Sequence, residues 1–154
     1  MKTRQSGLGL VAAIMVLVIL ASLAAAITSF STGQQMASAQ DVQAARTWHR
    51  AFSGTEWGLF RALKNATCDT QTWVSPDDPA SRVTVICSQH TYNDGESVPG
   101  TARQVRVFRI VATACNGGAA SCPDDAAVTN PAYVERQRVA IAYCEWDGIA
   151  CSGP

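Results

Sequence analysis

The chain has 154 residues, 12 basic and 12 acidic side chains, 16% charged residues and six cysteines. That is enough for one modest domain and excludes a large multidomain enzyme. A balanced charge with no block of five like charges argues against a nucleic-acid partner and against a charged interaction tail.

The charges are unevenly placed. Residues 5–40 carry no ionisable side chain, so every charge except Lys2 and Arg4 lies in the last 114 residues. An apolar front and an ordinary soluble back therefore need separate readings.

Leu8 to Ile27 reads LGLVAAIMVLVILASLAAAI, interrupted only by Gly9 and Ser22. As a helix rising about 1.5 Å per residue it spans roughly 30 Å, the thickness of a bilayer's hydrocarbon core. A secretory signal peptide also begins with a positive start and an apolar core, and Ala24-Ala25-Ala26 offers a signal peptidase small residues. The run is longer than the usual apolar core of about 7–15 residues, which favours a retained span. Lys2 and Arg4 precede it and the next basic residue is Arg46, so the N-terminus is expected in the cytoplasm. The rest then lies across the membrane, where disulfides form.

Between Ser29 and Ala66 there is no proline, and Ala, Gln, Arg and Leu abound. An amphipathic helix over 29–66, continuing the span over 8–28, is expected. At 100° per residue Ala45, Trp48, Phe52, Leu59, Ala62 and Leu63 fall within an arc of roughly 100°, a core-facing stripe. Arg46, Arg50, Arg61 and Lys64 share another arc with Trp57, expected to be a solvated face or, on the sharper reading, a contact surface. Gly33 and Ser53-Gly54 mark places for a bend or break, since each helical glycine costs about 1 kcal/mol relative to alanine. Glu56 falls inside the apolar stripe, and is expected to pair with an arginine or to mark the edge of the packed face.

After Asn65 the texture becomes β-rich. Strands are expected over 82–87, 104–112 and 137–143. The middle one alternates Val105 and Val107 against Arg103, Arg106 and Arg109, with a phase change near Phe108. Turn chemistry sits at Ser75-Pro76-Asp77-Asp78-Pro79, Asn93-Asp94-Gly95, Asn116-Gly117-Gly118 and Asp147-Gly148. The expected fold class is α+β: a long helix packed on a small antiparallel sheet, with a β-rich head over 67–154.

All six cysteines, Cys68, Cys87, Cys115, Cys122, Cys144 and Cys151, fall in the head. An even count in an exported domain reads as up to three disulfides among fifteen pairings. Spacing prefers Cys115 with Cys122 and Cys144 with Cys151, which leaves Cys68 with Cys87. No C-x-x-C occurs and the two histidines are His49 and His90, so neither zinc nor another cofactor is expected. No Gly-rich phosphate loop, G-x-S-x-G or H-E-x-x-H is present. His90 near Asp94 reads as a loop pair rather than a hydrolytic site. Asp77-Asp78 and Asp124-Asp125 carry oxygens that suit calcium but lack the EF-hand spacing, so solvated turns are expected. Asn65-Ala66-Thr67 matches a glycosylation sequon. No catalytic residue is assigned.

A basic start, then Gln5-Ser6-Gly7-Leu8, then an apolar helix running into an amphipathic one resembles the class III signal of type IV pilins and pseudopilins. Ala44-Ala45-Arg46, Ser53-Gly54-Thr55-Glu56-Trp57-Gly58-Leu59-Phe60 and an early Cys68 are similar to the MshP group, pilin-like biogenesis proteins of the mannose-sensitive haemagglutinin (MSHA) type IV pilus. The resemblance covers residues 1–70.

The resemblance implies a leader over 1–7, cleavage by a prepilin peptidase after Gly7, and N-methylation of Leu8, where the family usually has phenylalanine. The mature chain would have 10 basic against 12 acidic side chains, since Lys2 and Arg4 leave with the leader. Major pilins usually carry glutamate at the fifth mature position, where its carboxylate is thought to neutralise a neighbour's amine; here that position is Ala12. Burying an unpaired amine is costly, which points to a minor subunit used in initiation or at a filament tip.

The implied partners are other pilin subunits, the inner-membrane assembly machinery, the prepilin peptidase and the bilayer. The implied location is the bacterial inner membrane, single-pass, with the head periplasmic or incorporated in a surface pilus. A type II secretion pseudopilin shares this layout; a membrane-anchored extracytoplasmic enzyme or binding module is the alternative of a different class.

Overall fold

The computed structural model describes residues 8–152, the side chains of Leu8 and Thr32 excepted. One helix, α1 (Leu8–Asn65), precedes five strands: β1 (Gln71–Ser75), β2 (Asp78–Val98), β3 (Thr101–Cys115), β4 (Glu135–Trp146) and β5 (Cys151–Ser152). The strands form one antiparallel sheet in the order β1-β2-β3-β4-β5. This is an α+β fold. The chain divides into two compact units, Met1–Asp41 and Val42–Pro154.

In the first unit the described residues are helical and their apolar side chains point outward. Leu10, Ile14, Leu17, Leu20, Leu23 and Ile27 are each more than half exposed. The Ser22 hydroxyl donates to the Ile19 carbonyl at 2.8 Å and the Thr28 hydroxyl to the Ala25 carbonyl at 2.9 Å. Both polar groups are thus satisfied within the helix, as a hydrocarbon solvent demands. By length and composition α1 is able to cross a membrane.

In the second unit, α1 lies on the sheet through a face different from the expected one. Its buried residues are Thr47, Ala51, Gly54, Thr55, Gly58 and Ala62, all small. Trp48 and Phe52, expected in the core, are 44% and 40% exposed, and Ala45 is exposed too. Ala62 is buried, while Leu59 and Leu63 pack at the margin of the core.

The reason is a close approach of two backbones. A Cβ on Gly54 would stand 2.9 Å from both Ala112 Cβ and Val83 Cγ1, and one on Gly58 would stand 2.7 Å from Ile110 Cγ2. Hydrophobicity alone puts Trp48 and Phe52 inside; the geometry instead selects the residues that let the helix come near. No break occurs at Gly33 or Ser53-Gly54, because α1 is helical from Leu8 to Asn65.

The strands are longer than expected. β2 and β3 pair in step from Arg82 with Cys115 to Asn93 with Gln104, and β3 and β4 from Gln104 with Trp146 to Cys115 with Glu135. No phase change occurs at Phe108. Phe108, Ile110, Ala112 and Ala114 form one buried row toward the helix, and Val105, Val107, Arg109 and Val111 take the alternate positions on the other face. The apparent shift in the sequence reflects apolar residues on both faces. Asn93-Asp94-Gly95, expected as a loop, lies inside β2 beside register shifts at Asn93/Glu96 and Glu96/Val98. The hairpin turns at Pro99-Gly100.

α1 ends at Asn65, and Ala66 takes a left-handed φ of 52°. The Thr67 N–H then donates to the Arg61 carbonyl at 3.1 Å. An L-residue pays for this conformation, so Ala66→Gly should raise stability by about 0.5–1 kcal/mol. Gly58→Ala should act the other way, lowering stability by about 1–3 kcal/mol through overpacking against Ile110. Denaturant unfolding of the detergent-solubilised chain checks both, and unchanged midpoints would contradict the reading.

Candidate functional site: an apolar span and a stapled head

Three disulfides brace the head: Cys68–Cys87, Cys115–Cys122 and Cys144–Cys151, closing separations of 19, 7 and 7 residues. Loop-closure entropy assigns them about 3, 2.5 and 2.5 kcal/mol. Each holds a place where the sheet gives little support. Cys68–Cys87 joins the segment leaving α1 to β2, Cys115–Cys122 pins the start of the long 116–134 connection, and Cys144–Cys151 holds the two-residue strand β5 to β4. The 116–134 connection is further tied to the outer sheet face, where the Cys122 N–H donates to Thr84 Oγ1 at 2.8 Å.

The basic arc of α1 is only partly solvated. Arg50 Nη1 donates to Ser81 Oγ at 2.6 Å and pairs with Asp78 at 3.4 Å. Arg61 pairs with Asp69 at 3.3 Å and lies over the Trp57 ring, 5.1 Å from its centroid. Trp57 in turn tilts against Trp73 on β1, with centroids 5.0 Å apart. Arg50 fastens the helix to β2 and Arg61 fastens it to the segment before β1, which corrects the expectation of a solvated face for both; Arg46 and Lys64 remain exposed. Glu56 is exposed and enters none of the ion pairs among the described residues.

The other candidates are placed as follows. Gly7 lies outside the described residues, Leu8 belongs to α1, and Ala12 is an exposed helical residue. His90 and Asp94 do not pair. His90 neighbours Tyr92, while Asp94 faces Arg103 at 3.8 Å, because both lie along β2 rather than in a loop. His49 lines a cleft with Arg46, Arg50, Asp77 and Asp78.

Asp124 departs from the solvated turn expected of it. It is 6% exposed and accepts the N–H groups of Ala119 and Ala126 at 3.0 and 3.2 Å. Tyr133 accepts the Asp124 N–H and donates to Glu135; burial first, then that donation, pushes its phenol up to about 12. Asp125 is exposed, and Asn65 is the exposed last residue of α1. Among the described residues no group of three His, Cys, Asp or Glu side chains comes together to hold a metal.

What the geometry shows these residues doing is holding a head in shape. Sequence reasoning missed Thr47, Gly54, Thr55 and Gly58 as the contact face, although small residues recurring at three- and four-residue spacing are a visible signal. It also missed β1 and β5, whose five and two residues are too short to announce themselves. Comparison of the chain with protein-family models, with curated proteins and with solved structures finds no match.

Asp147 offers a pH test of the tail. Its carboxylate accepts the N–H groups of Ala150 and Ile149 at 2.7 and 2.8 Å, which hold its pKa below the usual 3.8. A depressed folded pKa means that the turn is supported above the unfolded value and loses that support as pH falls through the folded one. Ile149 and Ala150 amide shifts followed by NMR should therefore titrate together below 3.8, and Asp147→Ala should abolish that titration. Titration persisting in the variant would refute the assignment.

Proposed function

We propose that the chain is a structural, non-enzymatic protein: a minor pilin-like component of a type IV pilus assembly system of the MSHA kind, acting in initiation or at the filament tip. The reading rests on one combination. A basic start and Gly7 precede an uncharged helical segment able to span a membrane, and the same helix continues until it packs on an antiparallel, disulfide-braced sheet. An enzyme held by a simple tether has no need for the tether's helix to supply the buried layer of its domain. Here α1 does both.

On this reading the chain sits in the bacterial inner membrane with a cytoplasmic N-terminus and a periplasmic head. A prepilin peptidase removes residues 1–7, and Leu8 becomes the methylated N-terminus. Other pilin subunits and the assembly machinery draw the span from lipid into a filament. The exchange is between two apolar surroundings, so shape and polar pairing rather than hydrophobic gain decide the fit. Ala12 leaves a neighbour's amine without a carboxylate, which suits a position lacking one neighbour.

Intact-mass measurement of the chain purified from membranes tests the proposal. A product beginning at Leu8 and carrying a methyl group is expected. A chain beginning at Met1, or one cleaved near Ala26, would overturn it. Surface-fraction proteomics adds the second arm: abundance far below the major pilin is expected, and equal abundance would reject a minor role.

A further inference from the structure

The head carries two largely exposed surfaces whose central charges are complementary. The first is the ridge of α1 turned away from the sheet, whose Phe52 end reaches the margin where Arg138 of β4 lies over its ring at 4.1 Å. Phe52, Glu56 and Phe60 succeed one another at four-residue spacing, the two rings 40% and 59% exposed, with Glu56 between them and outside every ion pair among the described residues. The second is the sheet face turned away from the helix. Register places Ile86, Val111 and Val139 in one row, Ser88, Arg109 and Ile141 in the next, and His90, Val107 and Tyr143 in the third.

Ile86, Val139, Ile141 and Tyr143 are 47%, 43%, 69% and 64% exposed. Arg109 occupies the middle of this grid, is exposed, and likewise enters none of the ion pairs among the described residues. Each surface is thus largely apolar around one charge that lies outside the ion pairs among the described residues, acidic on the ridge and basic on the sheet.

The two charges also lie at nearly the same height. Gly54 abuts Ala112 and Gly58 abuts Ile110, so Glu56, midway between them, stands level with Val111. Arg109 is two residues away along β3, about 7 Å at the rise of a strand and within the reach of the two side chains. A second copy displaced sideways, with its head in the same orientation, therefore presents Glu56 to Arg109 and Phe60 to the apolar rows around it.

We propose that copies of this chain associate head to tail through these surfaces, the α1 ridge of one against the outer sheet face of the next, with Glu56 paired to Arg109. The contact is heterologous, since two different surfaces meet, and it leaves a free ridge and a free face at its ends for further subunits. Chains confined to a bilayer meet at raised effective concentration, so a contact too weak to persist in solution persists there. The inference requires only a membrane-held chain with this head; it stands or falls apart from leader processing and from the minor-pilin reading.

The test uses the full chain in lipid vesicles, with a photo-cross-linking residue replacing Phe60. Cross-links between copies should map to the peptide containing Ile141 and Tyr143. Glu56→Arg and Arg109→Glu should each cut the cross-linked dimer by about tenfold, and the double reversal should restore it, as expected of a specific charge pair. Both residues are exposed, and intact disulfides with unchanged near-ultraviolet circular dichroism verify the fold. Absence of a dimer in the unmodified sequence, single reversals without effect, no rescue by the double reversal, or cross-links mapping elsewhere would each overturn the proposal. Preferential cross-linking to a different membrane protein in cells would overturn the choice of a second copy as occupant.

Discussion

The head depends on how closely α1 approaches the sheet. At Gly54 and Gly58 the helix backbone sits where any side chain would meet Val83, Ala112 or Ile110, and the neighbouring contacts are made by Thr47, Ala51, Thr55 and Ala62. Glycine in a helix interior costs about 1 kcal/mol, so two of them on successive turns are a standing expense that tertiary contact must offset. The contact does so by burying Val85, Phe108 and Ile110 completely. The hydroxyls that enter with it are not left orphaned: Thr47 donates to the Gln43 carbonyl at 2.8 Å and Thr55 to the Phe52 carbonyl at 2.7 Å.

A close approach through small residues yields a thin core, and the rest of the head reflects that. Large side chains that find no room between helix and sheet gather at the margins, where Trp57 meets Trp73 and Arg138 covers the Phe52 ring at 4.1 Å. Small domains bury too little surface to rely on hydrophobic gain alone, and covalent links at the helix exit, the long connection and the tail supply the remainder. Such links persist only in an oxidising compartment. The segment able to span a membrane and the disulfides arise from separate parts of the chain.

Much of this layout was legible in the sequence, for a physical reason in each case. The span is visible because twenty residues without a charge leave little other fate, and the strands at Val83, Val107 and Val139 because β-branched runs advertise themselves. The helix face was misread because hydrophobicity was taken as the guide to burial. Trp48 and Phe52 outrank Ala51 and Gly54 on any transfer scale, but distance between backbones, which a linear pattern does not encode, decides which side faces the sheet. The same limit hid Arg50 and Arg61, whose partners Ser81, Asp78 and Asp69 meet them only after the chain turns at Ala66. Glu56 was legible as an oddity; that it stands opposite the packed face emerges only from the fold.

The account makes the helix and the sheet one cooperative body, joined where glycine permits contact. Hydrogen exchange on the full chain in lipid measures this most directly. The amides of residues 51–62 in α1 and those of 83–85 and 110–112 in the strands should exchange with one common, largest opening free energy, as parts of a single unit do. Helix amides opening more easily than the strand amides by about 2 kcal/mol or more would show that α1 rests on the sheet without being part of its core, and would contradict the account.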